Sequence, residues 1–136
     1  MKFSFIWDMD GTLVDSYPSI VPSVKTVCEA YGADYDQEFI HDSVIHTSVG
    51  DFFRKMAKEY GLNPEELTGR FNHLNDTNID SILPIPHAEE TLKLLCEKGH
   101  QNFVIMIWPR QFFVFLLPRY YSHFLLSSYC ILNYFY

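Results

Sequence analysis

At 136 residues the chain has the length of one ordinary domain, or of one domain with a small insertion. Its formal net charge of -7 excludes a nucleic-acid partner from the expected readings, because a row of phosphates repels an acidic surface. The three cysteines, Cys28, Cys96 and Cys130, are too few and too widely spaced for a disulfide framework or a zinc site, and they fit a reducing, cytoplasmic setting. Phe3 to Trp7 is too short an apolar run for a signal peptide.

Taken in chain order, Phe3-Ser4-Phe5-Ile6-Trp7 reads as a first strand that ends at an acidic, Gly-containing turn. Its lack of strict alternation suits a strand covered on both faces, as in a parallel sheet. Beyond Asp15 the pattern turns helical. Pro18 or Pro22 suits a first helical turn, Ile20, Val24, Val27, Cys28 and Tyr31 recur at helical spacing, and Gly32 ends the run. A second helix begins near Asp36 and carries Phe39 and Ile40. A third covers about Val49 to Tyr60, with Phe52, Phe53, Met56, Ala57 and Tyr60 on one apolar face before Gly61. Asn63-Pro64-Glu65-Glu66 predicts a fourth helix start, with Asn63 as N-cap and Glu66 reaching back as in a capping box; Leu67, Phe71 and Leu74 continue it. Pro84-Ile85-Pro86 reads as a linker, and Pro86 opens a helix through Leu92, Leu95 and Cys96 that stops at Gly99. A second strand follows over about Asn102 to Ile107. The order is strand, helices, strand, with more helices after the first strand than a simple crossover needs.

The chemistry-bearing string is Asp8-Met9-Asp10-Gly11-Thr12-Leu13-Val14-Asp15-Ser16, directly after the first strand. Two carboxylates one residue apart, at the C-terminal end of a strand, sit where open α/β sheets bind ligands. Phosphoryl transfer through an enzyme group needs a nucleophile, a proton donor for the leaving oxygen and a cation to neutralise charge. A pair of carboxylates can divide the first two tasks. Gly11 lets the backbone turn sharply, and Thr12 can orient the loop by hydrogen bonding. The other reading of these acids is that they only cap the following helix.

This string closely resembles the first motif of the haloacid dehalogenase superfamily. The helical insertion after it, and the stretch Pro84 to Gly99 with Leu92 and Leu95, resemble the branch of phosphoglycolate phosphatases and β-phosphoglucomutases. The likeness covers about residues 1–104. It implies an α/β fold: an incomplete Rossmann-like core formed by residues 1–16 and 80–107, an inserted all-helical cap over 17–79, and an atypical tail over 108–136. It implies a hydrolase that dephosphorylates a small phosphorylated metabolite with Asp8 as nucleophile and Asp10 as general acid/base. Magnesium (Mg2+) is then expected on the Asp8 carboxylate and the backbone carbonyl of Asp10, and phosphate or substrate contacts at Gly11 and Thr12. Relatives of this branch place substrate-reading residues in the cap, where His46 and Thr47 fall; the plain alternative is a helix junction capped by Thr47 or Ser48. The family's sheet places the first strand in the middle, paired on both sides, with at least two later strands drawn from the region missing here. This chain's two strands alone therefore leave exposed edges and little core; if it folds, a monomer is expected.

The chain changes character after about Val104. All 17 acidic residues lie at or before Glu97, and no Lys follows Lys98. From Ile105 onward the only charges are Arg110 and Arg119, and about a third of the residues are aromatic, several times the usual share. The family's reaction uses a Ser or Thr at the end of the second strand, a later Lys and one or two later acids. Here the second strand runs into Trp108-Pro109-Arg110 with no hydroxyl at its tip. The break suggests a shifted reading frame, a misjoined gene or a truncation, and hence a catalytically inactive product. A third reading is a membrane-associated interaction protein anchored through the uncharged Tyr120 to Tyr136, a run slightly short of a membrane span. Arg110 is read as an ordinary surface charge. The histidines His41, His46, His73, His87, His100 and His123 show no metal-binding spacing. Asp15 and Ser16 are expected to cap the next helix.

Overall fold

The computed structural model describes the backbone over residues 1–106 and 131–133, with side chains through Val104. The tail read as a candidate membrane anchor lies, apart from residues 131–133, outside the described residues. Among the described residues no helix is long and apolar enough to cross a membrane. The chain divides into two compact units, Met1–Asp15 with Leu83–Tyr136, and Ser16–Ile82.

The first unit is an α/β core. Strand β1 (Ser4–Asp8) pairs in parallel with β4 (Gln101–Met106), which pairs in parallel with β5 (Ile131–Asn133). A second, two-stranded sheet joins β2 (Val14–Asp15) to β3 (Leu83–Pro84) in antiparallel register. Helix α5 (Ala88–Glu97) precedes β4 and packs on it. The polar hinge of this packing is Asn102, fully buried on β4. Its Oδ1 accepts from the Trp7 indole N–H of β1 at 2.9 Å, and its Nδ2 donates to the Leu92 carbonyl of α5 at 3.2 Å.

Two expectations for this unit need correction. Among the described residues β4 is the middle strand and β1 lies at an edge, in keeping with an incomplete core, but β1 is not covered on both faces: Phe5 and Trp7 are half-buried, while Ser4, Ile6 and Asp8 are exposed, Ile6 by 63%. Nor does Pro86 open a helix. Leu83 and Pro84 are a strand, and α5 starts at Ala88 because His87, its N-cap, takes the left-handed conformation at φ 65°. That conformation is costly for a residue with a Cβ.

The second unit consists of α1 (Tyr17–Ala30), α2 (Gln37–His46), α3 (Val49–Tyr60) and α4 (Pro64–Thr77), followed by a 3-10 turn at Ile79–Ser81. Helix α1 packs on α2 and α4, and α3 packs on the same two. Val24, Val27 and Cys28 of α1, Ile40 of α2, Phe53 and Met56 of α3 and Leu67 of α4 fill the interior. Phe53 is fully buried and meets Phe52 and Phe71 edge-on at 5.8 and 5.9 Å. Burial pushes the Cys28 thiol up to about 11, which keeps it protonated and unreactive.

The helix ends follow local chemistry. Asp36, Ser48 and Asn63 each accept a backbone N–H from the first turn of α2, α3 and α4. Gly61, at φ 68°, ends α3, and Leu62 N–H returns to the Ala57 carbonyl at 2.9 Å. The Glu66 carboxylate accepts the Tyr31 hydroxyl at 2.6 Å, where a capping box was expected. Phe39 and Tyr60 are more exposed than their apolar spacing predicts, and Phe39 stacks on Tyr35 at 5.2 Å. Pro22 lies inside α1, while Pro18 occupies its first turn.

Candidate active site

The loop after β1 is closed on itself by its own main chain. The Met9 carbonyl accepts three N–H groups, from Thr12 (3.3 Å), Leu13 (2.9 Å) and Val14 (3.0 Å). Gly11 donates back to the Val14 carbonyl at 2.8 Å and holds φ at 70°, a conformation that a residue with a Cβ adopts at a cost. Leu13 and Val14 are buried, and the Leu13 carbonyl accepts from Ile85 N–H at 2.9 Å, tying the loop to the segment after β3. The buried Met9 side chain separates the two acids: Asp8 is exposed and Asp10 half-buried.

Each residue singled out from the sequence can now be placed. Asp8 is the last residue of β1, opposite Ile105 of β4 in the parallel register. The N–H groups of Gly11 and Thr12 are both taken inside the loop, so a phosphate contact from this pair falls to the Thr12 hydroxyl, which sits on an exposed residue. His46 and Thr47 are in the helical unit, at the C-terminal end of α2. His46 Nδ1 lies 2.7 Å from the Asp42 carbonyl, and the Thr47 hydroxyl donates to the Ser43 carbonyl at 2.8 Å.

Ser16 departs from its expected role. It occupies the N-cap position of α1 but makes no side-chain cap bond, and its buried Oγ has no hydrogen-bond partner among the described residues. The reason is local. The second helical residue is Pro18, which has no N–H, and the Ser19 and Ile20 N–H groups both bond the Ser16 carbonyl at 3.0 Å.

The oxygen donors of this loop suit a hard cation, which takes carboxylates and carbonyls and is often held by one or two carboxylates, waters and a substrate phosphate. Among the described residues no group of three or more His, Cys, Asp or Glu could hold a metal. A magnesium ion at this loop would have to be completed by water and phosphate oxygens.

Residues 5–109 match the model of the haloacid dehalogenase-like hydrolases. The match ends close to the change of composition after Val104. A search of curated proteins finds no match. Among solved structures, a protein assigned as a haloacid dehalogenase-like hydrolase from Bacteroides fragilis superposes with a TM-score of 0.78 at 18% identity, over 96% of this chain and 63% of its own. One predicted to be a phosphoglycolate phosphatase, from Haemophilus somnus, gives 0.69 at 18% identity, over 96% and 62%. One assigned as a β-phosphoglucomutase, from Thermotoga maritima, gives 0.67 at 18% identity, over 96% and 61%. The chain thus spans about three-fifths of the length of the structures it matches, and at these identities the likeness is one of fold.

Proposed function

The chain belongs to the haloacid dehalogenase-like hydrolases, and from that premise we propose that it carries the nucleophile half of a phosphatase site for a small phosphorylated metabolite. The observation that carries this reading is the Asp8–Val14 loop, closed by its own main chain, which places an exposed Asp8 and a half-buried Asp10 at the end of a parallel strand. In the proposed reaction an Asp8 carboxylate oxygen attacks phosphorus and the ester P–O bond breaks. Asp10 gives its proton to the leaving oxygen, so that an alcohol departs and an aspartyl-phosphate remains. Asp10, now ionised, takes a proton from water as that water attacks phosphorus; the P–O bond to Asp8 breaks and inorganic phosphate leaves. A magnesium ion held by the Asp8 carboxylate and the Asp10 main-chain carbonyl would supply neutralising charge for the phosphate. Thr12 would hold a phosphate oxygen, and the helical unit, with His46 and Thr47, would serve as the cap that reads the substrate.

A specific observation favours a reduced form of this activity. The parallel register aligns the last residues of β4 with Asp8, and Gln101 to Pro109 contains no Ser or Thr. The hydroxyl that the family resemblance assigns to this strand end is missing, so this chain should form the phosphoenzyme poorly and turn over slowly. The test is hydrolysis of p-nitrophenyl phosphate with and without magnesium, together with phosphoryl transfer onto the protein. Magnesium-dependent turnover that disappears in Asp8→Asn supports a working phosphatase. Labelling at Asp8 without turnover supports the reduced form. Absence of both overturns the proposal.

A further inference from the structure

The residue that leads into β1 is held by a histidine at the foot of β4. Gly99, left-handed at φ 77°, turns the chain out of α5, and the His100 N–H returns to the Leu95 carbonyl of that helix at 2.9 Å. His100 is thus fixed at its main chain. Its ring lies against Phe3 and Phe5, at 5.6 and 5.7 Å between centroids. From there Nδ1 takes the Phe3 N–H at 3.2 Å, while the Phe3 carbonyl accepts from Gln101 N–H at 3.0 Å. A main-chain N–H can only donate, so Nδ1 must offer a lone pair, and the proton of the neutral ring belongs on Nε2. An imidazolium carries protons on both nitrogens and has no lone pair to offer. His100 is half-buried and Phe3 is 52% exposed, so the ring exchanges protons with solvent.

We propose that His100 is a pH-operated clasp on the segment that leads into β1: its neutral Nε2–H form docks Phe3 onto β4, and protonation at Nδ1 releases it. Protonation sets two donors against each other where a donor met an acceptor. The bond from Gln101 N–H then remains as the one main-chain tie of Phe3 to β4. The Phe3 and Phe5 rings attract an imidazolium, but that attraction does not require Nδ1 to point at the Phe3 N–H. The protonated ring stays against them only by turning Nδ1 away, so the clasp opens in either case. The charged groups on the adjoining segments are Lys2 and the amino group of Met1 ahead of β1, and Glu97 and Lys98 at the end of α5. Lys2 Cε comes within 3.7 Å of the place a Cβ on Gly99 would take. Ser4 and Gln101, whose side chains bond each other at 3.3 Å, are neutral. A protonated His100 therefore repels the cationic segment that it held when neutral, which reinforces release. The clasp lies at the end of β1 opposite Asp8, so it works without any part of the candidate active site.

Heteronuclear NMR of the full chain tests this without any activity measurement. At about pH 8 the His100 ring should carry its proton on Nε2, and a proton on Nδ1 would overturn the proposal. Exchange protection of the Phe3 amide is then compared at about pH 7.5 and about pH 5.5, after correction for the pH dependence of exchange in a free chain. It should fall by about threefold, the effect of losing one hydrogen bond near water, while that of Val27, buried inside α1, should hold. Equal Phe3 protection at both values would also overturn the clasp. In His100→Asn the side-chain oxygen stands as many bonds from the main chain as Nδ1 does and takes up no proton in this range. Phe3 protection should then no longer depend on pH. A fall that persists in this variant is driven by another group, and the proposal fails.

Discussion

Replacing Asn102 by Ala should destabilise the α/β unit by about 3 kcal/mol. Asn102 is fully buried and touches three partners on two elements: Trp7 on β1 at 2.9 Å, and the Leu92 carbonyl at 3.2 Å and the Cys96 sulfur at 3.3 Å on α5. Each neutral hydrogen bond contributes about 1 kcal/mol net, and stranding a buried donor raises that cost. The missing amide leaves a void worth about another 1 kcal/mol at ~24 cal/mol per Å³. Asn102→Leu fills the space but still strands the Trp7 N–H, so it should cost about 1–2 kcal/mol. Urea denaturation reads both values in a Trp108→Phe background, where Trp7 is the only remaining Trp. A loss of about 3 kcal/mol moves the midpoint by roughly 2 M for a urea slope near 1.5 kcal/mol/M. Trp7 emission in the folded state should also move to the red as its indole loses a buried partner. If Asn102→Ala costs less than about 0.5 kcal/mol, the bonds counted here do not hold β1 to α5, and the reasoning fails.

Three further outcomes are expected. His87→Gly should stabilise the α/β unit by about 0.5–1 kcal/mol, because it relieves a left-handed residue at φ 65° and loses only an exposed contact to Glu90; thermal unfolding reads the gain. Ser16→Ala should be neutral or slightly stabilising, since it removes a buried hydroxyl without a partner, whereas Ser48→Ala should cost about 1 kcal/mol, since Ser48 Oγ accepts the Asp51 N–H at 3.0 Å; equal losses by chemical denaturation would contradict the contrast. Hydrogen bonds from Arg54, then from Ser48, hold the Asp51 carboxyl below its usual range. A depressed folded-state value gives stability that is present above the ordinary carboxylate value and is lost as pH falls through the folded one. Asp51→Asn should therefore flatten the acid limb of a stability–pH curve below about pH 4, and an unchanged limb would show that the contact adds nothing.

The parts of this fold that were legible in the sequence are those that neighbouring residues decide. Helix α3 occupies Val49–Tyr60, the span that its apolar spacing predicts, because Ser48 caps one end and Gly61 the other. Asn63 and Pro64 likewise set the start of α4. The two-residue strands β2 and β3 were not legible, because two residues carry no periodicity and Pro84 argues against a strand. The true start of α5 was hidden for a related reason: it depends on a left-handed His87, which nothing in its own residue type predicts. The exposure of Ile6 could not be read at all, since an apolar run shows that a strand can be buried and not whether another element covers it.

The same division separates the two halves of the candidate site. Much of what shapes the Asp8–Asp10 loop lies within a few residues of it: a buried Met9 whose carbonyl gathers three N–H groups, a left-handed Gly11, and buried Leu13 and Val14. The main-chain bonds from Thr12, Leu13 and Val14 to the Met9 carbonyl, and from Gly11 to the Val14 carbonyl, are all of this short-range kind. The phosphate-gripping hydroxyl is a different kind of feature. It depends on one residue at the tip of a neighbouring strand, held in place only by the register of Asp8 with Ile105. Change the residues at that tip, and the strand can still pair while the grip is lost. A chain of this composition can therefore keep the Asp8–Asp10 loop while carrying no Ser or Thr from Gln101 to Pro109. The match over residues 5–109 identifies the family, and only a measurement of phosphoryl transfer at Asp8 identifies an enzyme.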